Sequence, residues 1–269
     1  MILASHGLIA SQIASFDADA VAFFGRVTTA GGSLSATEKA AVNTLVVDMK
    51  AAGIWSGMKA IYPMVGASAA ACAQNLKSSS FTGTFTSGWT FASTGVNGNG
   101  TSAYFDTAFN TTTNQSVNNF SLSLYIRTAA MGTGFITDMG NTGSAASLPL
   151  TNFESNSTIR YQYCWDYQTA IVSITTTDSR GMWGTSRSGA SSWVSFERNT
   201  SVAKTTTTTQ TTLPNNNVYL GATNANGTAI QFSSKQIAFA HMGDFLTSTQ
   251  YNNFYTAVQA FQTTLSRNV

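Results

Sequence analysis

The sequence predicts a mainly β protein: an antiparallel β-sandwich with a short helical region before it and one helix after it. Three observations carry this prediction. From Phe81 onward, apolar residues recur with a period of two, in short runs rich in β-forming residues. Asn, Gly and Ser turns separate these runs at the spacing typical of sandwiches and barrels. Before Phe81, and again at the C-terminal end, the apolar residues follow the helical period instead.

Two helices are predicted in the first third of the chain. The first lies in FDADAVAFFGRVTTAGG, where an aspartate caps the start and Gly31–Gly32 ends it. The second opens with a capping box, Ser35-x-x-Glu38, and ends at Gly53. Its apolar residues share one face: Val42, Leu45, Val46 and Met49. The apolar segment IWSGMKAIYPMVG follows, and we expect it to dock on the β domain.

The rest of the chain is predicted to be strands and a closing helix. The helix is expected over 247–267, because its apolar residues fall on one face: Tyr251, Phe254, Val258, Phe261 and Leu265. We therefore divide the chain into a helical assembly region, 1–77, and a β domain, 78–269. The Thr-rich stretch 204–212 lies between strand signals and is interpreted as an edge strand or hairpin arm.

Composition excludes two classes of partner. Only 9% of the residues are charged, and thirteen basic against eleven acidic residues leave a net charge of +2. No cluster of Lys and Arg is present to neutralise phosphates, so nucleic-acid binding is not expected. No apolar run reaches the roughly 18 residues of a membrane span. The opening MILASHGLIASQIASF lacks a basic n-region, so we expect no cleaved signal peptide.

The stretch STGVNGNGTSAYFDTAFN, residues 93–110, raises the question of a phosphate-binding loop. Such loops need a strand, a Gly-rich turn and then a helix whose N-terminus faces the anion. Here the Asn-Gly pairs are followed by a strand, and neither a GxGxxG motif nor a Lys-Ser/Thr pair is present. Asn-Gly is the pair that accepts positive φ in tight hairpins. We interpret the stretch as a turn.

Several of these segments resemble the laminin-G-like, concanavalin-A-like jelly-roll family. The likeness is carried by NGNGTSAYFDT, FSLSLYIRT, YLGATN and QIAFAHMGDFLTSTQYNNFYTAV, and it covers residues 80–269. The resemblance implies a jelly-roll sandwich that ends in a helix.

A second likeness covers nearly the whole chain. AVNTLVVDMKAAGIWSGMKAIYPMVG, AQNLK and AVQAFQTTLSRNV are similar to a group of tailed-bacteriophage structural proteins. The resemblance implies a non-enzymatic virion protein, displayed on the particle as a head decoration or as a tail or fibre component. Its expected partners are copies of itself and other virion proteins, and the outward domain would either bind a host-surface glycan or only cover and brace the particle. The alternatives are a secreted lectin-like module and a glycan-cleaving enzyme.

Candidate catalytic carboxylates are sparse. Glycosidases on a jelly roll need two carboxylates close together. The three glutamates, Glu38, Glu154 and Glu197, are far apart, and none lies two or three residues from another carboxylate in a strand. Asp17 and Asp19 are two residues apart, but they precede a helix, where capping explains them. The sequence therefore predicts that the chain is not an enzyme.

Histidine and cysteine patterns also lack a catalytic or metal motif. His6 lies in the N-terminal stretch, and His241 is expected at a strand end, partly buried, near Asp244. There is no G-x-S-x-G elbow and no His–Cys cluster for zinc. Cys72 and Cys164 are either buried free thiols or one disulfide. No cofactor is expected.

Calcium is the one metal with candidate ligands. Asp106, Asp138 and Asn141 are expected near strand ends, where their oxygens could bind Ca²⁺. Asx turns explain the same residues equally well.

The aromatic residues of STIRYQYCWD form the candidate glycan site. Alternation places four side chains on one strand face: Ile159, Tyr161, Tyr163 and Trp165. If that face is exposed, its aromatic rings could stack on a sugar, with hydrogen bonds from Arg160 or Asn152. If it faces the other sheet, the same rings fill the core. The sequence leaves both interpretations open.

Overall fold

The chain folds into three layers, a helical layer and two β-sheets. The structure is a computed structural model, and it describes residues 15–143, 152–163, 171–189, 191–205 and 212–269. Two stacked sheets form a sandwich, and the three longest helices cover the outer face of one of them. The predicted mainly β sandwich with N-terminal helices and a C-terminal helix is confirmed.

The helices begin at side-chain caps. They are α1 Ala18–Thr29, α2 Ala36–Ala51, α3 Ala69–Cys72, α4 Thr111–Asn114 and α5 Ser248–Thr264, with a 3₁₀ turn at Trp55–Gly57. Capping boxes open α2, at Ser35 and Glu38, and α5, at Thr247 and Gln250. Among the helices described, none is long and apolar enough to cross a membrane.

The strands are short, as the turn spacing predicts. They are β1 Met58–Tyr62, β2 Thr84–Phe85, β3 Thr90–Ala92, β4 Gly95–Asn97, β5 Phe105–Asn110, β6 Phe120–Ile126, β7 Ile136–Thr142, β8 Asn152–Asn156, β9 Ile159–Tyr163, β10 Ile171–Thr175, β11 Gly181–Arg187, β12 Ser192–Glu197, β13 Thr200–Thr205, β14 Asn217–Leu220, β15 Thr223–Ala225, β16 Thr228–Ile230 and β17 Gln236–Gly243.

Two sheets are formed by the strands described. Sheet A has the order β13-β12-β11-β6-β17-β4-β3, and β1 also pairs with β17. Sheet B has the order β10-β9-β8-β7-β14-β5-β2, with the β15-β16 hairpin added alongside β7. Each sheet therefore has one face toward the sandwich interior and one face away from it.

The apolar residues form two cores, one on each side of sheet A. Between the sheets lie residues such as Phe105, Leu124, Trp183 and Leu220. Between sheet A and the helices lies a second cluster, built from α1, α2, α5 and the outward residues of sheet A. Among the residues described, no helical layer covers the outer face of sheet B.

The two predicted segments, 1–77 and 78–269, share a sheet and a core. β1 belongs to the first segment but pairs with β17 of the second, with Ile61 opposite His241. The N-terminal helices pack on α5 in one apolar cluster. The closing helix expected over 247–267 is found at Ser248–Thr264.

Residues 98–104 form a turn between β4 and β5, as predicted, but the two strands belong to different sheets, so the turn is not a hairpin. The carboxamide oxygen of Asn99 accepts hydrogen bonds from the backbone N–H groups of Thr101, Ser102 and Ala103. Gly100 has a φ of +73°, and β5 follows. The Thr-rich stretch begins in β13, at the edge of sheet A, and its residues 206–211 lie outside the described ranges.

Candidate functional site

Two residues of the predicted aromatic stripe, Ile159 and Tyr161 of β9, lie on the outer face of sheet B. Arg160 and Gln162 point into the sandwich and are buried, whereas Ile159 and Tyr161 are half-exposed on the other side. Tyr161 pairs with the exposed Ser173 of β10. The structure thus places Tyr161 on the solvent side, not in the core. The side chains of Tyr163 and Asn152, and the whole of Trp165, lie outside the described part of the chain.

The position of Arg160 contradicts its predicted role as a glycan ligand. Its side chain is fully buried, and its Nη2 lies 2.7 Å from Oδ2 of Asp138. The guanidinium also lies 4.3 Å from the ring centroid of Trp183, a residue of the sandwich core. Because strand residues alternate, the position next to the outward Tyr161 must point inward. A ligand on the surface of sheet B therefore cannot reach Arg160.

The three calcium candidates do not converge on one site. Asp138 is buried, accepts a 2.6 Å hydrogen bond from Ser233 at Oδ1, and faces two cations, Arg160 and Lys235. Asn141 is buried and donates to Thr111 Oγ1, whereas Asp106 is half-exposed on β5. No group of three His, Cys, Asp or Glu residues that could hold a metal occurs in the described ranges. In the described structure the Asp138 carboxylate already pairs with Arg160 inside the sandwich, whereas Asp106 lies on the outer face, so the three residues do not form one calcium site.

His241 is fully buried rather than partly buried at a strand end. Its two ring nitrogens lie 3.3 Å from the hydroxyls of Ser121 and Ser123. Burial lowers the pKa of His241 to about 3, so the ring is neutral. Asp244 does not pair with it; its carboxylate lies 2.9 Å from Lys59 Nζ. No serine-hydrolase triad is formed by these residues, because the imidazole has no carboxylate to orient it.

Cys72 is a buried free thiol. Burial raises its pKa to about 12, so the reactive thiolate is not populated at neutral pH. Cys164 lies outside the described residues.

A second group of aromatic residues lies on the outer face of sheet B, where β5 and β14 pair. Phe105 of β5 and Leu220 of β14 point into the core, so their neighbours Tyr104, Asp106 and Tyr219 point outward. The rings of Tyr104 and Tyr219 stack with centroids 4.4 Å apart and planes 19° apart. We call Tyr104, Asp106, Asn217 and Tyr219 the tyrosine patch.

A carboxylate lies directly beside this stack. Asp106 is opposite Tyr219 in the strand register. Its Oδ1 accepts hydrogen bonds from the Ala108 backbone N–H, at 2.8 Å, and from Asn217 Nδ2, at 3.0 Å. Within the described part of the chain, Oδ2 accepts none and is left for solvent or a ligand. Burial, followed by the charge of Asp106, raises the pKa of Tyr219 to about 12, so its phenol stays protonated.

The residues that lie opposite the tyrosine patch on the neighbouring strands are small. Gly140 of β7 lies opposite Tyr219, and the exposed Thr84 of β2 lies opposite Asp106. Tyr219 is only 7% exposed, whereas Tyr104 is more open, so Tyr104 is the outer ring of the stack. The patch can therefore present a ring face to a flat ligand and a carboxylate oxygen to its hydroxyl groups.

Sequence reasoning missed the tyrosine patch. The motifs SAYFDT and VYLGAT contain its two rings, and their alternation predicts outward tyrosines. The two motifs are far apart in the chain, and their pairing in the sheet is a long-range feature without a local signal.

A cleft of about 640 Å³ lies at the helical layer. Its lining carries several hydroxyls and one carboxylate, that of Glu38. That carboxylate already accepts hydrogen bonds from the backbone N–H groups of Ser35 and Gly66. None of the described lining residues is aromatic, so this cleft offers no ring for stacking. The tyrosine patch is the better candidate site.

Comparison with known proteins finds similarity in structure alone. No family model matches the sequence, and no curated protein matches it. A mutant of Trypanosoma rangeli sialidase with trans-sialidase activity is similar at a TM-score of 0.55 and 10% identity, over 81% of this chain. The same sialidase in complex with sialic acid has a TM-score of 0.55 over 74% of this chain. The chain spans only 39% and 33% of those two proteins.

A third similar structure is a whole domain. Domain 4 of a GH43 extracellular arabinanase from Geobacillus stearothermophilus, in complex with arabinotriose, has a TM-score of 0.51 and 14% identity. The match covers 74% of this chain and 98% of that domain. At these identities the likeness shows a shared β-sandwich fold.

The prediction that the chain is not an enzyme is wrong. The similar structures are sialidases, one of them with trans-sialidase activity, and a domain of an arabinanase, so they are enzymes or parts of enzymes. The prediction depended on the spacing of carboxylates along the sequence. Spacing along the chain does not measure distance in the fold, because strands far apart in sequence become neighbours in a sandwich.

Proposed function

We propose that the chain binds a glycan through the tyrosine patch. The observation that carries this proposal is the Tyr104–Tyr219 stack beside an accepting oxygen of Asp106, on a sheet face that no described helix covers. A sugar presents a C–H face and a ring of hydroxyl groups. The open ring of Tyr104 suits the first, and Oδ2 of Asp106 accepts from the second.

The similar structures support the same class of ligand. The arabinanase domain, which this chain matches over 98% of the domain's length, binds arabinotriose in its solved structure. The fold of the chain thus occurs in a domain of similar size that holds an oligosaccharide. The half-exposed Tyr161, on the same outer face of sheet B, extends the surface available to a longer glycan.

Native affinity electrophoresis in gels containing arabinan, galactan or dextran tests the proposal. We expect at least one polymer to retard the chain, and the Tyr104→Ala variant to lose up to about tenfold in affinity, since a stacked ring contributes about 0.5–1.5 kcal/mol. Tyr255→Ala is the control, because Tyr255 is a half-buried tyrosine on α5, away from sheet B. Equal binding by Tyr104→Ala and the parent chain would contradict the proposal.

We further propose that the chain works on a bacteriophage particle, as a surface-displayed component that associates with copies of itself and other virion proteins. The proposal starts from the resemblance of AVNTLVVDMKAAGIWSGMKAIYPMVG and AVQAFQTTLSRNV to tailed-bacteriophage structural proteins, noted in the sequence, which no family model or curated protein matches. The layer order also suits this setting, because the helices and the tyrosine patch lie on opposite sides of the molecule. The helical side could contact the particle while the patch faces a host-surface glycan. Antibody labelling of purified particles tests this setting.

A further inference from the structure

We infer that the tyrosine patch selects uncharged glycans and rejects acidic ones, such as those containing sialic or uronic acids. This inference rests on the proposed function and names the ligand class of the same site. It begins with the charge at the patch. Asp106 is ionisable and half-exposed, and its Oδ2 is not engaged in any hydrogen bond within the described residues. If the ring of an acidic sugar stacked on Tyr104, the carboxylate of that sugar would lie beside the like charge of Asp106.

No cation on this part of sheet B offsets that charge. The strands β2, β5, β7, β14, β15 and β16 contain no Lys, Arg or His. The chain's thirteen Lys and Arg residues lie on the helical side, on or next to sheet A, or inside the sandwich. Arg160 and Lys235 are buried and face Asp138, and Arg187 of β11 is also buried, with its Nε donating to the backbone carbonyl of Val117. The charges of Arg160 and Lys235 are directed at an interior carboxylate and away from the surface.

The hydrogen-bonding groups of the patch also favour hydroxyl donors over anions. An acidic sugar needs N–H donors or cations around its carboxylate. The one amide donor of the patch, Asn217 Nδ2, donates to Asp106. The charged group of the patch is therefore an acceptor, which a neutral sugar meets with its hydroxyl groups, whereas the donors of the patch, its phenol hydroxyls and the Asn217 amide, carry no charge.

The charge of Asp106 affects the pKa of the neighbouring Tyr219 phenol. Tyr219 lies opposite Asp106, and the carboxylate adds to burial in raising the pKa of Tyr219. A bound sugar carboxylate would experience the same negative potential. Ligand selection by this chain would then differ from that of the similar sialidase, whose solved complex contains sialic acid.

Matched polymers and a charge-removing variant test the inference. Binding is measured by affinity electrophoresis for galactan against polygalacturonate, and for arabinan and dextran against polysialic acid, each at low and at high salt. The variants are Asp106→Asn, which keeps an accepting Oδ1 for Ala108 and Asn217, and Asp178→Asn as control. Asp178 is a surface carboxylate that pairs with Arg180 at 2.8 Å, beside sheet A. Thermal melting verifies that both variants are folded.

We expect the parent chain to bind a neutral polymer at least about fivefold more tightly than an acidic one at low salt, which is the effect of about 1 kcal/mol of like-charge repulsion. The ratio of neutral-polymer affinity to acidic-polymer affinity should decrease in the Asp106→Asn variant. It should also decrease for the parent chain at high salt. The Asp178→Asn variant should have the same ratio as the parent chain.

Two failures are distinguishable. If an acidic polymer binds as tightly as its neutral counterpart and the binding depends on Tyr104, the inference is overturned while the proposed function stands. The same holds if Asp106→Asn leaves the ratio unchanged. If no polymer binds at either salt concentration, or if Tyr104→Ala binds as the parent does, the proposed function itself fails, and the inference fails with it.

Discussion

At the scale of single residues, the sandwich keeps polar side chains inside by giving each a specific partner. His241 lies between the hydroxyls of Ser121 and Ser123, with its ring 4.7 Å from that of Phe254. No charged group among the described contacts of His241 stabilises an imidazolium. The neutral ring can exchange hydrogen bonds with both hydroxyls, whereas the charged ring would be desolvated without compensation.

This environment predicts a loss of stability in acid. The pKa of His241 is about 3 in the folded chain and about 6.5 when unfolded. Because the folded pKa is lowered, the unfolded state binds the proton first, and stability falls as the pH drops from 6.5 towards 3. By pH 4 the burial of neutral His241 lowers the free energy of unfolding by about 3 kcal/mol relative to its value at pH 7.

Urea unfolding of the parent chain and of His241→Gln, at intervals from pH 7 to pH 4, measures this cost. The variant starts less stable, and the difference between the two proteins should shrink as the pH falls. A difference that stays constant over this range would show that His241 does not remain neutral.

At the scale of elements, the contact between sheet A and α5 depends on a glycine. Gly184 of β11 lies under Tyr251 of α5, whose ring stacks on Phe196 with centroids 3.6 Å apart. A Cβ at Gly184 would lie 2.7 Å from the backbone oxygen of Leu122 and 3.0 Å from the ring of Tyr251. The helix can approach the sheet this closely only because the strand has no side chain there.

Two glycine substitutions should therefore have opposite effects. Gly184→Ala should lower the free energy of unfolding by about 1–3 kcal/mol, because it overpacks the interface. Gly25→Ala should raise it by about 0.5–1 kcal/mol, because Gly25 is exposed within α1 and no atom lies within 4 Å of the new Cβ. Urea midpoints of both variants measure the effects. A neutral Gly184→Ala variant would contradict the described packing of α5.

At the scale of the whole molecule, the layer order gives the chain two different sides. The helices lie on sheet A, and the tyrosine patch lies on the far face of sheet B. We expect antibodies against the chain to label purified phage particles of the source at a defined position, viewed by electron microscopy. Unlabelled particles, with the protein free in the medium, would contradict the particle setting and favour the secreted lectin-like module.

Much of the fold is predictable from the sequence because its signals are local. The capping box at Ser35 and Glu38, the Asn-Gly turn around Gly100 and the apolar face of the closing helix are each formed by neighbouring residues. Strand alternation is equally local, and it separates Arg160 from Tyr161. These patterns depend on backbone geometry that every chain shares.

The site depends on contacts that no local pattern contains. Alternation shows that β9 has two different faces, but which face meets the core depends on what lies opposite. The buried Asp138 allows Arg160 to point inward, so Tyr161, the next residue of β9, faces outward. In the same way, Tyr104 and Tyr219 become neighbours only when β5 pairs with β14. Sequence therefore determined the elements and their faces, whereas tertiary pairing decided the site, because burial and charge compensation are properties of residues brought together from distant parts of the chain.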